Sequence, residues 1–400
     1  MANILGINLN ELARAEVLKK IRGFLNSSEG HFIVTPNPEI ILASHHDEEF
    51  FHILNQADLA IADGFGLKIA GLILGKKVPR LTGADLTLDL LRQANEQGTK
   101  ILILNWQDGL STKEEINAAL QKEYPNLNFL VLNISRDIIL KDELKQTINN
   151  FAPAILFNTL GFPYQEKLIF HNLKNLPTVR VALGIGGSFD FITGKIRRAP
   201  KLMRYLGLEW LWRLFKQPKR LRRIYNATFV FTKKLILTRF IVPHLYRPNV
   251  ACFLYKKENR KIKVLIVERV DEPGHWQLPQ GGRDGEDVAT AGARELREET
   301  STTAIIIKGV FKDLYRYSFP KTGDQERYRG SRRYQLDYKG QSQSLFIAEF
   351  TGSDSDIKIN YWDHRAWQWI DLDQLLAVLH PLRQPGAKIY LTKFQSLKNI

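Results

Sequence analysis

Three glutamates, Glu295, Glu298 and Glu299, stand three and four residues apart, a spacing that gathers them on one face of a helix. Like charges so close destabilise a helix unless a cation neutralises them, and an all-oxygen cluster suits Mg2+ or Mn2+ bridging to substrate phosphates. A solvated acidic helix is the plain alternative for such a cluster taken alone. A second set is spread over the first half: Thr35-Pro-Asn-Pro-Glu39, Ala62-Asp-Gly-Phe-Gly66, Arg80-Leu-Thr-Gly-Ala-Asp85, Gly161-Phe-Pro-Tyr-Gln-Glu166 and Gly184-Ile-Gly-Gly-Ser-Phe-Asp190. Their glycines permit close backbone approach to a ligand, while Asn, Thr and Gln offer donors and acceptors for hydroxyls and a uracil edge. Each alone reads as a turn. Five in one ordered region are harder to dismiss.

Short apolar runs position these segments: Phe32–Thr35, Leu59–Ala62, Ile101–Leu104, Phe129–Leu132, Ile155–Asn158 and Val179–Leu183. Amphipathic stretches such as Asn10–Leu25 and Asp85–Glu96 lie between them. Strands alternating with helices predict an α/β, Rossmann-like parallel sheet over residues 1–196, with ligands beyond the carboxyl ends of the strands. Residues 197–245 predict a basic amphipathic helical appendage and linker, interrupted at Pro218. From Tyr246 to residue 400 the pattern changes to short strands, a Gly-rich turn and the acidic helix, an α/β/α layering.

Four hundred residues exceed one ordinary core, and 44% hydrophobic with 25% charged residues excludes wholesale disorder. The single cysteine, Cys252, excludes an intramolecular disulfide and a multi-cysteine zinc site, which fits a reducing cytoplasm. Met1–Asn10 lacks the features of a secretory signal. The longest apolar stretch, Phe229–Leu245, is broken by Lys233, Lys234 and Arg239, so no spanning helix is expected. The net charge of +15 is uneven: thirteen basic residues fall between Arg197 and Arg239 against one acid, Glu209. This stretch suits phosphates, anionic lipid or nucleic acid, or is a solvated face. Trp210, Trp212, Phe215 and Phe229 interleaved with the charges fit a membrane interface or a packed core equally. His45, His46 and His52 match no standard metal spacing and read as packing or surface residues.

The order of the first-half motifs, with Arg-Ala-Pro at 198–200 and Leu-Glu-Trp-Leu-x-Arg-Leu at 208–214, resembles the WecG/TagA/CpsF glycosyltransferases over about residues 1–225. The resemblance implies inverting transfer of an N-acetylmannosamine-type sugar from a UDP-sugar to a polyprenyl-diphosphate-linked acceptor, in cell-surface polysaccharide synthesis. The protein would be cytoplasmic and peripheral at the inner membrane face, with no cofactor expected for this half. By family match Asp63 would be the base. Thr35, Asn37 and Gln165 would line the sugar and nucleotide pocket, Arg80 would meet phosphate charge, and Arg213, Arg220 and Arg223 would belong to a basic appendage that covers the site and touches the membrane. For these three, lipid adhesion without catalysis is the competing reading. Leu104-Asn-Trp-Gln-Asp108 departs from the family's Gly-rich turn, and Tyr164 stands where Lys is common.

The glutamates are preceded by Trp276-Gln-Leu-Pro-Gln-Gly-Gly282 and lie in Arg-Glu-Leu-Arg-Glu-Glu, which resembles a Nudix box of the RNA pyrophosphohydrolase and dinucleoside-polyphosphate branch. Tyr246-Arg-Pro-Asn-Val250 and Trp367-x-Trp369 extend the likeness. It implies Mg2+ or Mn2+ on Glu298 and Glu299, Glu295 as ligand or general base, and Asp363 as a further ligand, for hydrolysis of a nucleoside-diphosphate-linked or RNA substrate. Two departures stand out: the loop from Gly281 to Glu286 is one residue short, and Ser301 replaces the final Gly. The short loop is expected to shift the substrate. Alternatives are a hydrolase whose N-terminal half only docks or senses, or a degenerate Nudix half regulating the transferase. A homo-oligomer is left open.

Overall fold

The computed structural model describes residues 1–200, 203, 211–212, 221–319 and 338–397. The chain forms two compact units, Met1–Ile236 and Leu237–Ile400. Arg213 and Arg220 of the expected appendage, together with Trp210 and Pro218, lie outside the described residues.

The first unit opens on a hairpin the sequence did not suggest, β1 (Ala2–Ile4) paired antiparallel with β2 (Ile7–Leu9). Its main sheet holds β3 (His31–Val34), β4 (Leu59–Ala60), β5 (Ile101–Trp106), β6 (Phe129–Ile134), β7 (Ile155–Asn158) and β8 (Val181–Gly184). They run parallel in the order β4-β3-β8-β7-β5-β6. Alternate residues feed opposite layers. Phe32, Val34, Leu102, Leu104 and Leu156 face one core, which includes Phe50, Ile53 and Leu168 from helices Glu48–Asn55 and Tyr164–Asn172. Ile33, Ile101, Ile103 and Phe157 face the other, with Val17, Ile21, Leu86 and Leu90 from helices Arg14–Leu25 and Gly83–Gln97. Burial on both faces is why these strands read as unbroken apolar runs. This is the expected doubly wound, Rossmann-like arrangement.

Beyond it, Leu221–Tyr225, a π turn at Asn226–Val230 and Phe231–Phe240 follow one another as helical segments. Phe231 and Leu235 are buried in the first unit's core, so the later part of the 197–245 stretch packs with that unit.

The second unit is a mixed sheet of β9 (Tyr246–Glu258), β10 (Lys261–Arg269), β11 (Trp276–Gln277), β12 (Gln280–Gly282), β13 (Ile305–Ser318), β14 (Gly340–Phe350) and β15 (His364–Asp371). The path is β11-β10-β9-β14-β13, with β12 on β9 and β15 on β10. Among the described residues only β9 and β14 pair in parallel in this sheet. Ala251, Phe253 and Tyr255 pack towards helix Gln384–Gln395, whereas Val250, Cys252 and Leu254 pack towards the acidic helix Val288–Thr300. One strand thus serves two helical layers by its period of two.

Candidate functional sites

In the first unit a cleft of about 550 Å3 lies along the carboxyl ends of the parallel strands. Thr35 and Asn37 after β3, Asp63 after β4, Gln165 after β7 and Arg223 all line it. Arg80 is not among its lining residues. Asn37 caps helix Pro38–Ser44, its Oδ1 accepting from Ile40 N at 2.9 Å, so its side-chain NH2 is what remains for a ligand. Asp63 Oδ2 accepts from Gly83 N at 3.3 Å, which ties the carboxylate to the start of helix Gly83–Gln97. Gly64, with φ +101°, supplies the backbone turn that follows it.

Gln165 is fixed on every side. Its Oε1 accepts from Gly161 N at 3.2 Å and Gly186 N at 3.0 Å, and its Nε2 donates to Glu166 Oε1 at 2.7 Å. A Cβ at Gly184 would overlap this side chain, which explains a glycine at the end of β8. Glu166 is itself buried, and that burial pushes its carboxyl up to about 7, opposed by the Gln165 amide.

Two ion pairs join distant motifs at the cleft. Arg198 Nη2 reaches Asp85 Oδ1 at 2.7 Å and Thr82 Oγ1 at 3.3 Å, while Thr82 also donates to Asp85 Oδ2 at 2.6 Å. The Arg-Ala-Pro segment is thereby tied to the Thr-Gly-Ala-Asp turn. Arg223 grips Glu39 with Nε at 2.6 Å and Nη2 at 2.9 Å. Sequence reasoning missed Asn105, Ser111, Arg136 and Asp190, which also line the cleft. Asp190 ends a quoted motif, but its partner Ser111, donating at 2.7 Å, belongs to no motif. His45 bonds through Nε2 to Leu5 C=O at 2.9 Å, and burial lowers its pKa to about 4, so it is a neutral packing residue.

In the second unit the helix Val288–Thr300 turns Glu295 and Glu299 inward, both buried, and leaves Glu298 partly exposed. Arg294 is the hub: Nε to Glu286 Oε2 at 2.8 Å, Nη1 to Glu295 Oε1 and Glu298 Oε2 at 2.9 Å each, and Nη2 to Gly282 C=O at 2.6 Å. Glu299 Oε2 accepts from Gln280 N at 3.0 Å and faces His364 Nε2 at 3.2 Å. Asp363 contributes charge close to Glu299 and is held by Asn360 Nδ2 at 3.3 Å. Burial, then mutual repulsion, raises the Glu295 carboxyl well above its usual range, and burial raises Glu299. Arg294 is shared among three carboxylates, of which Glu295 is buried, and the donors are all oxygen. That set fits a hard divalent cation. Gly281 supports the same reading, because a Cβ there would overlap the Glu295 carboxylate.

The shortened loop closes through Asp284 and Gly285, with φ of +48° and +91°, and Glu286 N bonds to Arg283 C=O at 2.7 Å. This tight turn keeps Glu286 on Arg294 despite the missing residue. Among the described residues a second cluster, Glu272, His275 and His380, has metal-ligand atoms close together. There Arg383 Nε donates to His275 Nε2 at 3.3 Å, so the neutral ring carries its proton on Nδ1, which donates to Glu272 at 2.8 Å. That nitrogen is spent, and the cluster is a hydrogen-bonded pair of stacked imidazoles rather than a metal site.

The fold and these two sites define an α/β unit with a polar cleft at its strand ends and a second unit built on an acidic helix. Residues 2–243 match the family described as Glycosyl transferase WecG/TagA/CpsF, and residues 245–392 match the NUDIX domain. This chain belongs to the WecG/TagA/CpsF family of glycosyl transferases and carries a C-terminal Nudix domain. It is similar to the N-acetylglucosaminyldiphosphoundecaprenol N-acetyl-beta-D-mannosaminyltransferase of Bacillus subtilis (strain 168), 31% identical over 230 residues, covering 56% of this chain and 86% of that one. The protein of the same description from Staphylococcus aureus (strain MW2) is 31% identical over 238 residues, 58% of this chain and 91% of that one. Among solved structures, the C. elegans Ap4A hydrolase matches with TM-score 0.28 and 18% identity, over 38% of this chain and 100% of that one. The E. coli dihydroneopterin triphosphate pyrophosphohydrolase matches with TM-score 0.28 and 18% identity, over 37% and 99%. No helix among the described residues is long and apolar enough to cross a membrane.

Proposed function

We propose that the first unit transfers an N-acetylmannosamine-type sugar, with inversion, from a UDP-sugar to a polyprenyl-diphosphate-linked N-acetylglucosamine acceptor. The observation that carries this is the single cleft in which Thr35, Asn37, Asp63 and Gln165 meet beyond the strand ends. Its volume of about 550 Å3 falls within the range of small-molecule sites, roughly 300–1,000 Å3. In the step, the acceptor hydroxyl oxygen attacks the anomeric carbon and its proton passes to the Asp63 carboxylate. The bond from that carbon to the phosphate oxygen breaks, and UDP leaves with the electron pair. Thr35, Asn37 and the Gln165 loop orient the sugar and nucleotide, and cationic side chains at the cleft stabilise the leaving diphosphate.

Access to a lipid-borne acceptor is supported by the helix after residue 220. Leu221, Tyr225, Phe229 and Ile236 are 62%, 53%, 60% and 44% exposed, beside Arg222, Arg223 and Lys233. Apolar and aromatic side chains standing among cations in solvent suit an anionic membrane surface, so the unit is proposed to work peripherally at the inner face.

For the second unit the proposal is hydrolysis of a nucleoside-diphosphate-linked substrate. Glu295, Glu298 and Glu299, with Asp363 beside them, would hold Mg2+ or Mn2+. The bound cation would lower the pKa of a water and neutralise pyrophosphate charge. Arg294 fixes the carboxylates, and the Gly281 turn brings backbone up against Glu295.

Purified protein given UDP-N-acetylmannosamine and a short-chain prenyl-diphosphate N-acetylglucosamine, with Mg2+ or with EDTA, tests both halves. Free UDP and extended lipid that persist in EDTA and fall about 100- to 10,000-fold in Asp63→Asn are expected of the transferase. UMP and sugar phosphate seen only with Mg2+ would show the Nudix half consuming the donor. If Asp63→Asn transfers at the parent rate, the assignment of the base is wrong.

A further inference from the structure

One cation in the transferase cleft belongs to no motif. Arg136 follows β6, the edge strand opposite the end where Asp63 follows β4. Two features hold its guanidinium still. Its Nε donates to Leu160 C=O at 3.2 Å, and its central carbon lies 3.7 Å from the centre of the Trp106 ring. Tyr164 flanks it at 5.1 Å. Two rings from separate segments of the chain thus meet at one guanidinium.

An arginine held by Nε and by stacking keeps four N–H donors on its two terminal nitrogens, in a planar fork suited to a pair of oxygens. Stacking on a ring orders the group without neutralising it, whereas pairing with a carboxylate would do both. Among the described residues no carboxylate pairs with Arg136. The contrast with its neighbours is plain. Arg223, the other arginine lining the cleft among the described residues, is committed to Glu39 through two hydrogen bonds, and Arg198 is committed to Asp85 and Thr82. The space before Arg136 is also kept clear: Gly161, at φ +75°, has Arg136 Nη2 as the only atom within 4 Å of where a Cβ would stand. The Gly161 N–H is bound to Gln165 Oε1, so the guanidinium adjoins the turn that carries a proposed ligand-binding residue.

We infer that Arg136 is an oxyanion-binding residue of the donor site, receiving two oxygens of a nucleotide-sugar from its phosphates or from a carboxylate on its sugar, and so helping to set which donor this chain accepts. The inference rests on the reading of this cleft as a donor site. A charge-assisted hydrogen-bonded contact of this kind corresponds to about 10- to 100-fold in affinity.

The test is calorimetric binding to the full chain of uridine, UMP, UDP, a neutral UDP-hexose and a UDP-hexuronic acid, for the parent and for Arg136→Met and Arg136→Lys. Methionine keeps a long side chain against Trp106 without the charge, and an unchanged melting temperature would show the fold intact. If the phosphates are the source, Arg136→Met weakens UDP about 10- to 100-fold and leaves uridine unchanged, while Arg136→Lys recovers part of the loss. If the sugar is the source, only the hexuronic acid conjugate weakens. Equal losses for uridine and UDP would place the arginine on the base and overturn the inference, as would no loss for any ligand. A parent that binds no uridine ligand at all would overturn the donor reading, and this inference with it. A parent that binds both UDP and the hexuronic acid conjugate no better than Arg136→Met overturns the inference alone.

Discussion

Replacing Glu166 by Gln should make the first unit more stable at alkaline pH and flatten its pH dependence. Glu166 is buried, and its carboxyl is pushed up from the ordinary 4.5 to about 7, chiefly by loss of solvation. A carboxyl whose pKa is raised by folding is most favourable when protonated. Its contribution is full below pH 4.5 and is lost as pH rises through about 7. The shift corresponds to about 3 kcal/mol at about 1.4 kcal/mol per unit. By linkage roughly 2 kcal/mol of it disappears between about pH 5 and pH 8. Glutamine cannot ionise, yet its Oε1 can still accept from Gln165 Nε2, which fixes the amide against Gly161 and Gly186. Chemical denaturation of the full chain at about pH 5 and pH 8 should therefore show the Glu166→Gln advantage growing by about 2 kcal/mol in one of two unfolding transitions. The other transition should not move. An advantage that stays constant across this range would refute the raised pKa, and a variant less stable than the parent at both ends would mean that Gln165 needs the carboxylate itself.

Three further outcomes are expected. Glu295→Gln should cut Mg2+-dependent hydrolysis at least about 100-fold. In EDTA at neutral pH it should raise the melting temperature of the second unit, because it removes a buried carboxyl whose raised pKa costs stability once ionised; equal melting temperatures would mean that Arg294 already compensates this charge. Ser301 ends the acidic helix in the left-handed region at φ 58°, and Gly there should relieve about 1 kcal/mol of strain while losing the Oγ bond to Lys358 C=O. A net gain of up to about 0.5 kcal/mol in denaturant midpoints is expected, and a loss would show the exposed hydrogen bond to be the stronger term. Phe229→Asp should reduce flotation with vesicles of anionic phospholipid several-fold without changing UDP binding; undiminished flotation would remove this helix from the membrane reading.

Much of the fold was legible because burial on both faces writes parallel strands as apolar runs. All six main strands fall on runs such as Ile101–Leu104 and Ile155–Asn158, with ends displaced by at most a few residues. The opening hairpin escaped for two reasons. Strands of three residues carry too little alternation, and the turn places Leu5, at φ 49°, before Gly6, where Asn or Asp would have signalled it. Charge dominates residues 197–245 and gives no sign of where that stretch packs, which Phe231 and Leu235 decide. For the cleft, the rule that ligands lie beyond strand ends singled out the segments in which the family resemblance names Thr35, Asn37, Asp63 and Gln165, all of which line it. It could not reveal commitments between residues far apart. Arg223 meets Glu39 across 184 positions, Arg198 meets Asp85 across 113, and nothing in either neighbourhood announces the partner.

Those commitments divide the two sites by how their charged groups are held. At the transferase cleft Glu39 is matched by Arg223, Asp63 and Asp190 accept from the Gly83 N–H and the Ser111 hydroxyl, and Arg136 is held by rings instead of by a carboxylate. In the Nudix unit one guanidinium is divided among Glu286, Glu295 and Glu298, while Glu299 leans on His364 and feels Asp363. Two buried carboxylates as close as Glu295 and Glu299 are costly, and the shared Arg294 lessens that cost without removing it. Such a site gains most from a cation that arrives with the substrate phosphates. Under the proposed functions one ligand chemistry, a nucleoside-linked pyrophosphate, would be met in the first unit by a ring-held arginine and in the second by carboxylates that would recruit a metal, and the ion-pair map distinguishes the two more sharply than either motif does.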